Sequence, residues 1–330
     1  VTQSSQPHPF ERLTPDFILD AIEAQGFLSD GRVLALNSYE NRVYQIGIDE
    51  KVPIIAKFYR PGRWTDAQIQ EEHDFCDELV AQDLSVVPPM RVQGQSLLHY
   101  QGFPIALYER RGGRAPDLDN PDHLYQLGRT LGRMHLVGAV KPFTHRPTLD
   151  MQSFGYQSIE RLLSGFIPAS LEPAYRSLTQ DLMQRIEAAF ALYPDIRYLR
   201  VHGDCHGGNL LWRDDLAHFV DFDDARMAPA IQDLWMLLSE NERSQRELQL
   251  AEVLAGYEEF AEFDPRELHL IEPLRTLRML HYSAWLARRW EDPAFPLNFP
   301  WFNTERYWGE HILQLREQLS ALNEPVLRIL

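Results

Sequence analysis

The sequence predicts an α+β chain in two lobes, a small antiparallel-sheet lobe over residues 1–110 and a larger, mainly helical lobe over residues 111–330. Three observations carry this expectation. At 330 residues the chain exceeds what one small core accommodates. Strand-like apolar runs separated by polar turns fill the front third. After Glu109-Arg110-Arg111-Gly112-Gly113 the apolar residues recur at helical spacing instead, so the boundary is expected there.

In the front lobe, Thr14-Pro15-Asp16 reads as a helix N-cap with proline at the first helical position. It leads Phe17, Ile18, Ala21 and Ile22 into a helix that Gly26 ends, and that helix is expected beneath the first sheet. Strands follow at Val33 to Leu36, Val43 to Ile48 and Ile54 to Tyr59, a meander whose first turn is Asn37 to Asn41. Thr65 or Asp66 caps a helix through Ile69, Glu72, Phe75, Leu79 and Val80, and Gln101 to Tyr108 forms a later strand. In the back lobe Leu124, Leu127, Leu131, Met134 and His135 mark a first helix, with others expected over residues 174–192, 231–238, 247–260 and 265–289. Two short strands, Leu210 to Trp212 and His218 to Val220, interrupt the helices.

Composition narrows the functional classes. A 44% hydrophobic content is that of a globular chain, and no run approaches the roughly 20 apolar residues of a membrane span. The stretch Val1 to Leu13 is polar and holds two prolines, unlike a signal-peptide core, so a cytoplasmic protein is expected. Cys76 and Cys205 are the two cysteines, too few for a disulfide framework. A net charge of −16 disfavours a nonspecific hold on nucleic acid or anionic membrane. A monomer with neither partner is expected.

The segment His202-Gly203-Asp204-Cys205-His206-Gly207-Gly208-Asn209 carries the chemistry. A carboxylate and an amide leave one tight loop at fixed separation: Asp204 can take or orient the proton of an acceptor hydroxyl, and Asn209 can give its amide oxygen to magnesium. Alone, the match would read equally as an ordinary turn with an Asn cap. The strand His218-Phe219-Val220 ends in Asp221, however, which presents a carboxylate as the metal-binding aspartate of the kinase Asp-Phe-Gly pattern does. Lys57, inside the apolar run Ile54 to Tyr59, resembles the Val-Ala-Ile-Lys strand lysine that holds the α- and β-phosphates of ATP, although an edge-strand charge facing water is the bland explanation. Glu72 on the next helix is expected to pair with Lys57, with Glu71 as the fallback because helical phase is uncertain by one residue.

Other residues are less specific. Asn37 to Arg42 lies where a glycine-rich loop would cover a triphosphate but contains no glycine; its Ser38 hydroxyl can bond phosphate, or the segment is a plain hairpin turn. Glu109 opens the linker where an adenine ring would bond backbone, an assignment from position alone. Asp233 is expected to support the catalytic loop, and His135 and His206 to make local contacts. The aromatic residues from Trp290 to Trp308 are expected to pack as core rather than as an acceptor wall.

These segments resemble the aminoglycoside phosphotransferase and choline kinase branch of the protein-kinase-like superfamily, in which His-Gly-Asp replaces His-Arg-Asp. Leu36 to Gln45, Lys57-Phe58-Tyr59-Arg60-Pro61, His202 to Asn209 and Gln232 to Leu238 are similar to its bacterial stress-response kinases. The resemblance implies a bilobal protein-kinase-like fold and a cytoplasmic Ser/Thr protein kinase that uses ATP and Mg2+ and autophosphorylates. It also implies that Ser38 contacts ATP, Asp204 is the catalytic base, and Asn209 and Asp221 hold the metal. Three departures stand out: no glycine-rich loop, Asp223 where Asp-Phe-Gly has glycine, and no Ala-Pro-Glu segment. Activation-loop control is therefore not expected. The protein-hydroxyl acceptor competes with a small-molecule hydroxyl acceptor such as an amino alcohol, sugar or aminoglycoside, and a pseudokinase scaffold that binds ATP is the alternative outside catalysis.

Overall fold

The computed structural model describes residues 8–239 and 242–329, so the first part of the polar stretch Val1 to Leu13 lies outside the described residues. In chain order the elements are α1 (Pro15–Glu23), β1 (Ser29–Ala35), β2 (Arg42–Ile48), β3 (Ile54–Phe58), α2 (Asp66–Val80), β4 (Leu98–Tyr100), β5 (Phe103–Glu109) and α3 (Pro121–Gly138). After these come α4 (Gln157–Leu163), α5 (Glu172–Leu192), β6 (Leu199–Val201), β7 (Leu210–Arg213), β8 (Leu216–Phe219) and β9 (Arg226–Ala228). The chain closes with α6 (Ile231–Leu234), α7 (Arg243–Tyr257), α8 (Ile271–Arg288), α9 (Ala294–Asn298) and α10 (Glu305–Ala321).

Two units divide the chain. The first holds residues 1–116, 143–146 and 208–225; the second holds residues 117–142, 147–207 and 226–330. The expected boundary near residue 110 assigned 143–146 and 208–225 to the helical lobe, whereas the first unit takes them in. Hydrogen bonds explain why. Arg114 and Trp212 exchange backbone bonds of 3.1 and 2.6 Å, and Phe219 bonds Ser85 and Val87 at 2.9 and 3.2 Å, so the β7–β8 hairpin is tied to the front segment.

In the first unit the sheet runs β1-β2-β3-β5-β4, antiparallel throughout. The period-2 alternation of β3 sends Ala56 and Phe58 into a core with Ile18, Ile22, Ile46, Phe103 and Leu107, so α1 does pack beneath this sheet. Lys57 leaves the opposite face, the side on which Tyr59, Ala106 and Ile69 of α2 cluster. Both helices start as the sequence requires. The Thr14 hydroxyl accepts the Phe17 N–H, and Thr65 and Gln68 form a reciprocal capping box at the head of α2.

The second unit is helical. α3 and α7 approach closely through Gly128 and Gly256: a side chain at Gly128 would run into the Val253 carbonyl, and one at Gly256 into that of Tyr125. The expected helix over residues 231–238 shortens to α6 and a 3-10 turn, and that over 265–289 divides into a 3-10 turn at Pro265–Leu270 followed by α8. Phe295, Phe299, Phe302 and Trp308 are buried, so this part of the aromatic run is core. Among the described residues no helix is long and apolar enough to cross a membrane.

Candidate active site

In the first unit the Lys57 ammonium, 5% exposed, lies 3.0 Å from Asp221 Oδ1 and 3.2 Å from Asp223 Oδ1. Asp221 sits just past β8 with a left-handed backbone (φ 59°), a conformation asparagine and aspartate tolerate better than branched side chains do. Phe222 anchors the turn by packing edge-on against Phe75 of α2, 6.1 Å between centroids. Asp223, where the kinase pattern has glycine, is buried and receives Arg63, whose second nitrogen reaches Asp224 at 2.9 Å. Arg146 donates to the carbonyls of Asp223 and Ala225. Three cations, Lys57, Arg63 and Arg146, therefore fix the turn that carries Asp221.

The electrostatics follow from burial and pairing. Desolvation opposes the charge on Lys57, yet the carboxylates of Asp221, Asp223 and Glu72 hold its ammonium protonated well above the ordinary lysine range. Burial likewise opposes ionisation of Asp223, but Arg63 and Lys57 keep its carboxyl well below the usual range. Glu72 is different: burial pushes its carboxyl up to about 7 despite the Lys57 charge.

Glu72 lies 3.6 Å from Arg146, and the ion pairs of Lys57 among the described residues are with Asp221 and Asp223. Glu72 thus acts on Lys57 through the field in this structure. Glu71 points elsewhere, accepting the backbone N–H groups of Thr144, His145 and Arg146 at 2.5 to 2.8 Å.

Asn209 immediately precedes β7, and its carbonyl accepts the Val220 N–H at 3.1 Å, which brings it beside the residue preceding Asp221. Amide and carboxylate oxygens suit a hard cation. Among the described residues no three His, Cys, Asp or Glu side chains cluster as a metal cage. The donor set fits an ion that completes its shell with water and phosphate oxygens, as magnesium does.

Ser38 is engaged within its own turn: its hydroxyl accepts the Val43 N–H and donates to the Asn41 carbonyl, both at 3.1 Å. Arg60 pins the same glycine-free loop, donating to the carbonyls of Glu40 and Tyr39 and pairing with the Glu40 carboxylate at 3.0 Å. Glu109 is exposed at the end of β5 and pairs with Arg111 at 2.9 Å.

Asp204 belongs to the second unit. Its loop hangs from Asp233, whose two oxygens accept the N–H groups of His202 and Gly203 at 2.8 Å each. Asp233 also meets His135 at 3.1 Å, and His135 reaches the Tyr257 hydroxyl at 2.9 Å. Gly203 adopts φ 87°, a left-handed turn that suits glycine. The Asp204 carboxylate lies 2.7 Å from Arg278 and 3.3 Å from His206. Burial opposes its ionisation, but the His206 hydrogen bond and the Arg278 charge hold it well below the usual range. Cys205 is buried, and burial pushes its thiol up, so it lacks the thiolate character of a redox sensor.

Sequence reasoning missed Arg63, Arg146 and Arg278. The partners of Arg63 lie 160 and 161 residues away, so no local spacing marks it.

The chain was compared with known proteins as a whole. Residues 32–271 match the family model described as "Phosphotransferase enzyme family". Stress response kinase A of Escherichia coli K12 is 45% identical over 321 residues, 97% of each chain, and the serine/threonine protein kinase RdoA of Salmonella typhimurium is 44% identical over the same span. Among solved structures, the amicoumacin kinase hAmiN superposes with a TM-score of 0.73 at 20% identity over 95% of each chain. A microcompartment-associated aminopropanol kinase gives 0.67 at 21% identity, over 94% of this chain and 99% of its own.

Proposed function

The chain belongs to the phosphotransferase enzyme family, and we propose that it is an ATP- and magnesium-dependent Ser/Thr protein kinase of the bacterial stress response, able to phosphorylate itself. The observation that carries this reading is the ion pair between Lys57 and Asp221, 164 residues apart in sequence. It supports the reading because a cation suited to phosphate and a carboxylate suited to the metal that accompanies ATP stand together.

Each residue then has one task. Lys57, kept charged by its carboxylate neighbours, binds phosphate oxygens of ATP. Asn209 and Asp221 would hold Mg2+, which when bound neutralises charge on the phosphates. The network of Arg63, Arg146 and Asp223 prevents the Asp221 turn from relaxing, so its carboxylate needs little reorganisation at the moment of reaction. Glu72 keeps Lys57 charged through the buried field. Asp204 accepts a hydrogen bond from the acceptor hydroxyl, orients its oxygen for attack, and takes the proton as the bond from that oxygen to the γ-phosphorus forms and the bond from the γ-phosphorus to the bridging oxygen breaks, ADP leaving with the electron pair. Asp233 sets the loop that aims Asp204. Ser38 and Glu109 retain weaker roles in this reading: the loop around Ser38 would offer backbone N–H groups to phosphate, and the Glu109 linker would offer backbone to the adenine.

The distinguishing experiment is transfer from γ-labelled ATP to separated protein and metabolite fractions, with Asp221→Ala as the control. Label on the enzyme and on Ser or Thr of protein is expected from the wild type, dependent on magnesium. Label confined to metabolites would replace the protein acceptor with a small-molecule one, and no magnesium-dependent transfer at all would leave a nucleotide-binding scaffold.

A further inference from the structure

We propose that the acceptor site at Asp204 selects a peptide hydroxyl flanked by an acidic residue, and that Arg278 of α8 reads that acid. The proposal rests on Asp204 being the group that accepts the hydroxyl proton.

Both oxygens of this carboxylate are already engaged. Arg278 Nη1 stands 2.7 Å from Oδ1 and His206 Nε2 stands 3.3 Å from Oδ2. The two cation-forming side chains are 40% and 41% exposed, against 20% for Asp204, so they reach solvent while the carboxylate they hold is largely covered. A hydroxyl that donates to Asp204 competes with these contacts. An acceptor carrying its own carboxylate offers the guanidinium a replacement partner in the fork geometry arginine favours, releasing Oδ1 for the hydroxyl. An ammonium-bearing acceptor does the reverse, placing like charge against Arg278 without offering it a partner.

The same face of α8 continues from Arg278 to an exposed aromatic ring, Tyr282. At about 100° per residue, Arg275, Arg278, Tyr282 and Trp285 fall within about 80° of arc on α8, along about 15 Å of its length. From Pro273 to Trp290 the chain contains no Asp or Glu but has Arg275, Arg278, Arg288 and Arg289. Arg275 stacks over Trp235 at 5.2 Å while pairing with Glu272, and Tyr282 stacks on Trp285 at 5.8 Å. Arg275 is 14% exposed and its charge is met by Glu272, so in a chain of net charge −16 the cation this face of α8 offers to solvent beside the base is Arg278, 40% exposed. Its charge complement is a single acid close to the acceptor hydroxyl rather than a cationic amino alcohol or aminoglycoside.

The test uses the full chain and three peptides that differ in the residues flanking one serine: Glu, Gln or Lys. With γ-labelled ATP, kcat/KM for the Glu peptide should exceed that for the Gln peptide by about tenfold, the worth of one charge-assisted hydrogen bond, with the Lys peptide lowest. Arg278→Lys should keep that order, and Arg278→Glu should reverse it in favour of Lys, an outcome that loss of folding cannot mimic. Equal use of all three peptides by the wild type, or an unchanged order in Arg278→Glu, would overturn the proposal while leaving the kinase reading intact. Transfer to small acidic metabolites but to none of the peptides would overturn the peptide as source of the acid. Absence of transfer to any hydroxyl would defeat the parent reading and this proposal with it.

Discussion

Asp223 and Asp204 are both carboxylates held ionised by cations, yet their surroundings differ in kind. Asp223 is 4% exposed and locked between Lys57 and Arg63, with Arg146 bonded to its own carbonyl. Asp204 is held by Arg278 and His206, both of which reach water. The first arrangement has no spare freedom: removing any member leaves a buried charge without compensation. The second can exchange partners at modest cost, because an exposed ion pair is worth little. On the proposed reading, the donor side of the chemistry is thus fixed in advance, and the acceptor side is left open to respond to what binds.

Substitutions should expose this difference as larger stability losses in the first region than in the second. The largest stability effect is expected from Arg63→Ala, which strips Asp223 and Asp224 of their shared cation and should cost about 3 to 5 kcal/mol in urea unfolding. A loss below about 1 kcal/mol would show that the cluster is not the rigid frame described.

Glu72 sharpens the same point through pH. In the unfolded chain its carboxyl ionises near 4.3, but in the folded protein burial holds the proton to about 7. Its contribution to stability is therefore complete below about 4.3 and is lost as pH rises through 7, amounting to about 3 kcal/mol. Glu72→Gln should flatten stability over that window; an undiminished fall between pH 5 and 8 would assign the titration elsewhere.

In the second unit Asp233→Asn tests how firmly the loop is hung. Two backbone N–H groups lose a charged acceptor, so about 2 kcal/mol of stability should go, and transfer activity with it. A loss as large as that of Arg63→Ala would erase the contrast between the two regions. The smallest effect is expected at the head of α2, where Thr65→Ala removes the cap and should lower stability by about 1 kcal/mol, read as a shift in the unfolding midpoint.

Much of this was legible in the sequence where the determinants are local. Thr14 and Thr65 announce their helices because capping is a relation between residues three apart, and α2 ends at Val80 as its apolar periodicity requires. Lys57 stood out as a charge in an apolar strand, and its strand places it opposite Val43 and Ala106 near the middle of the sheet. The antiparallel sheet followed by helices is the α+β fold that the pattern predicts. What local reading misses is set by distant partners. Nothing near Gly62-Arg63-Trp64 reveals that Arg63 meets Asp223, and nothing in the spacing of α8 reveals that Arg278 meets Asp204. The same limit explains the boundary: residues 208–225 follow a helical stretch in sequence, but their hydrogen bonds join them to the first unit. It also explains why Glu71 stood as the fallback to Glu72, since what engages Glu71 is the backbone of residues 144–146.

The most direct test of the account is to measure, on Asp204→Ala, both its affinity for ATP and its rate of γ-phosphoryl transfer. Affinity should stay within about twofold, because phosphate and metal are bound by other groups, while transfer should fall by about 10²- to 10⁴-fold. A variant that binds ATP and transfers phosphate at the wild-type rate would contradict the role assigned to Asp204 and the division of labour built on it.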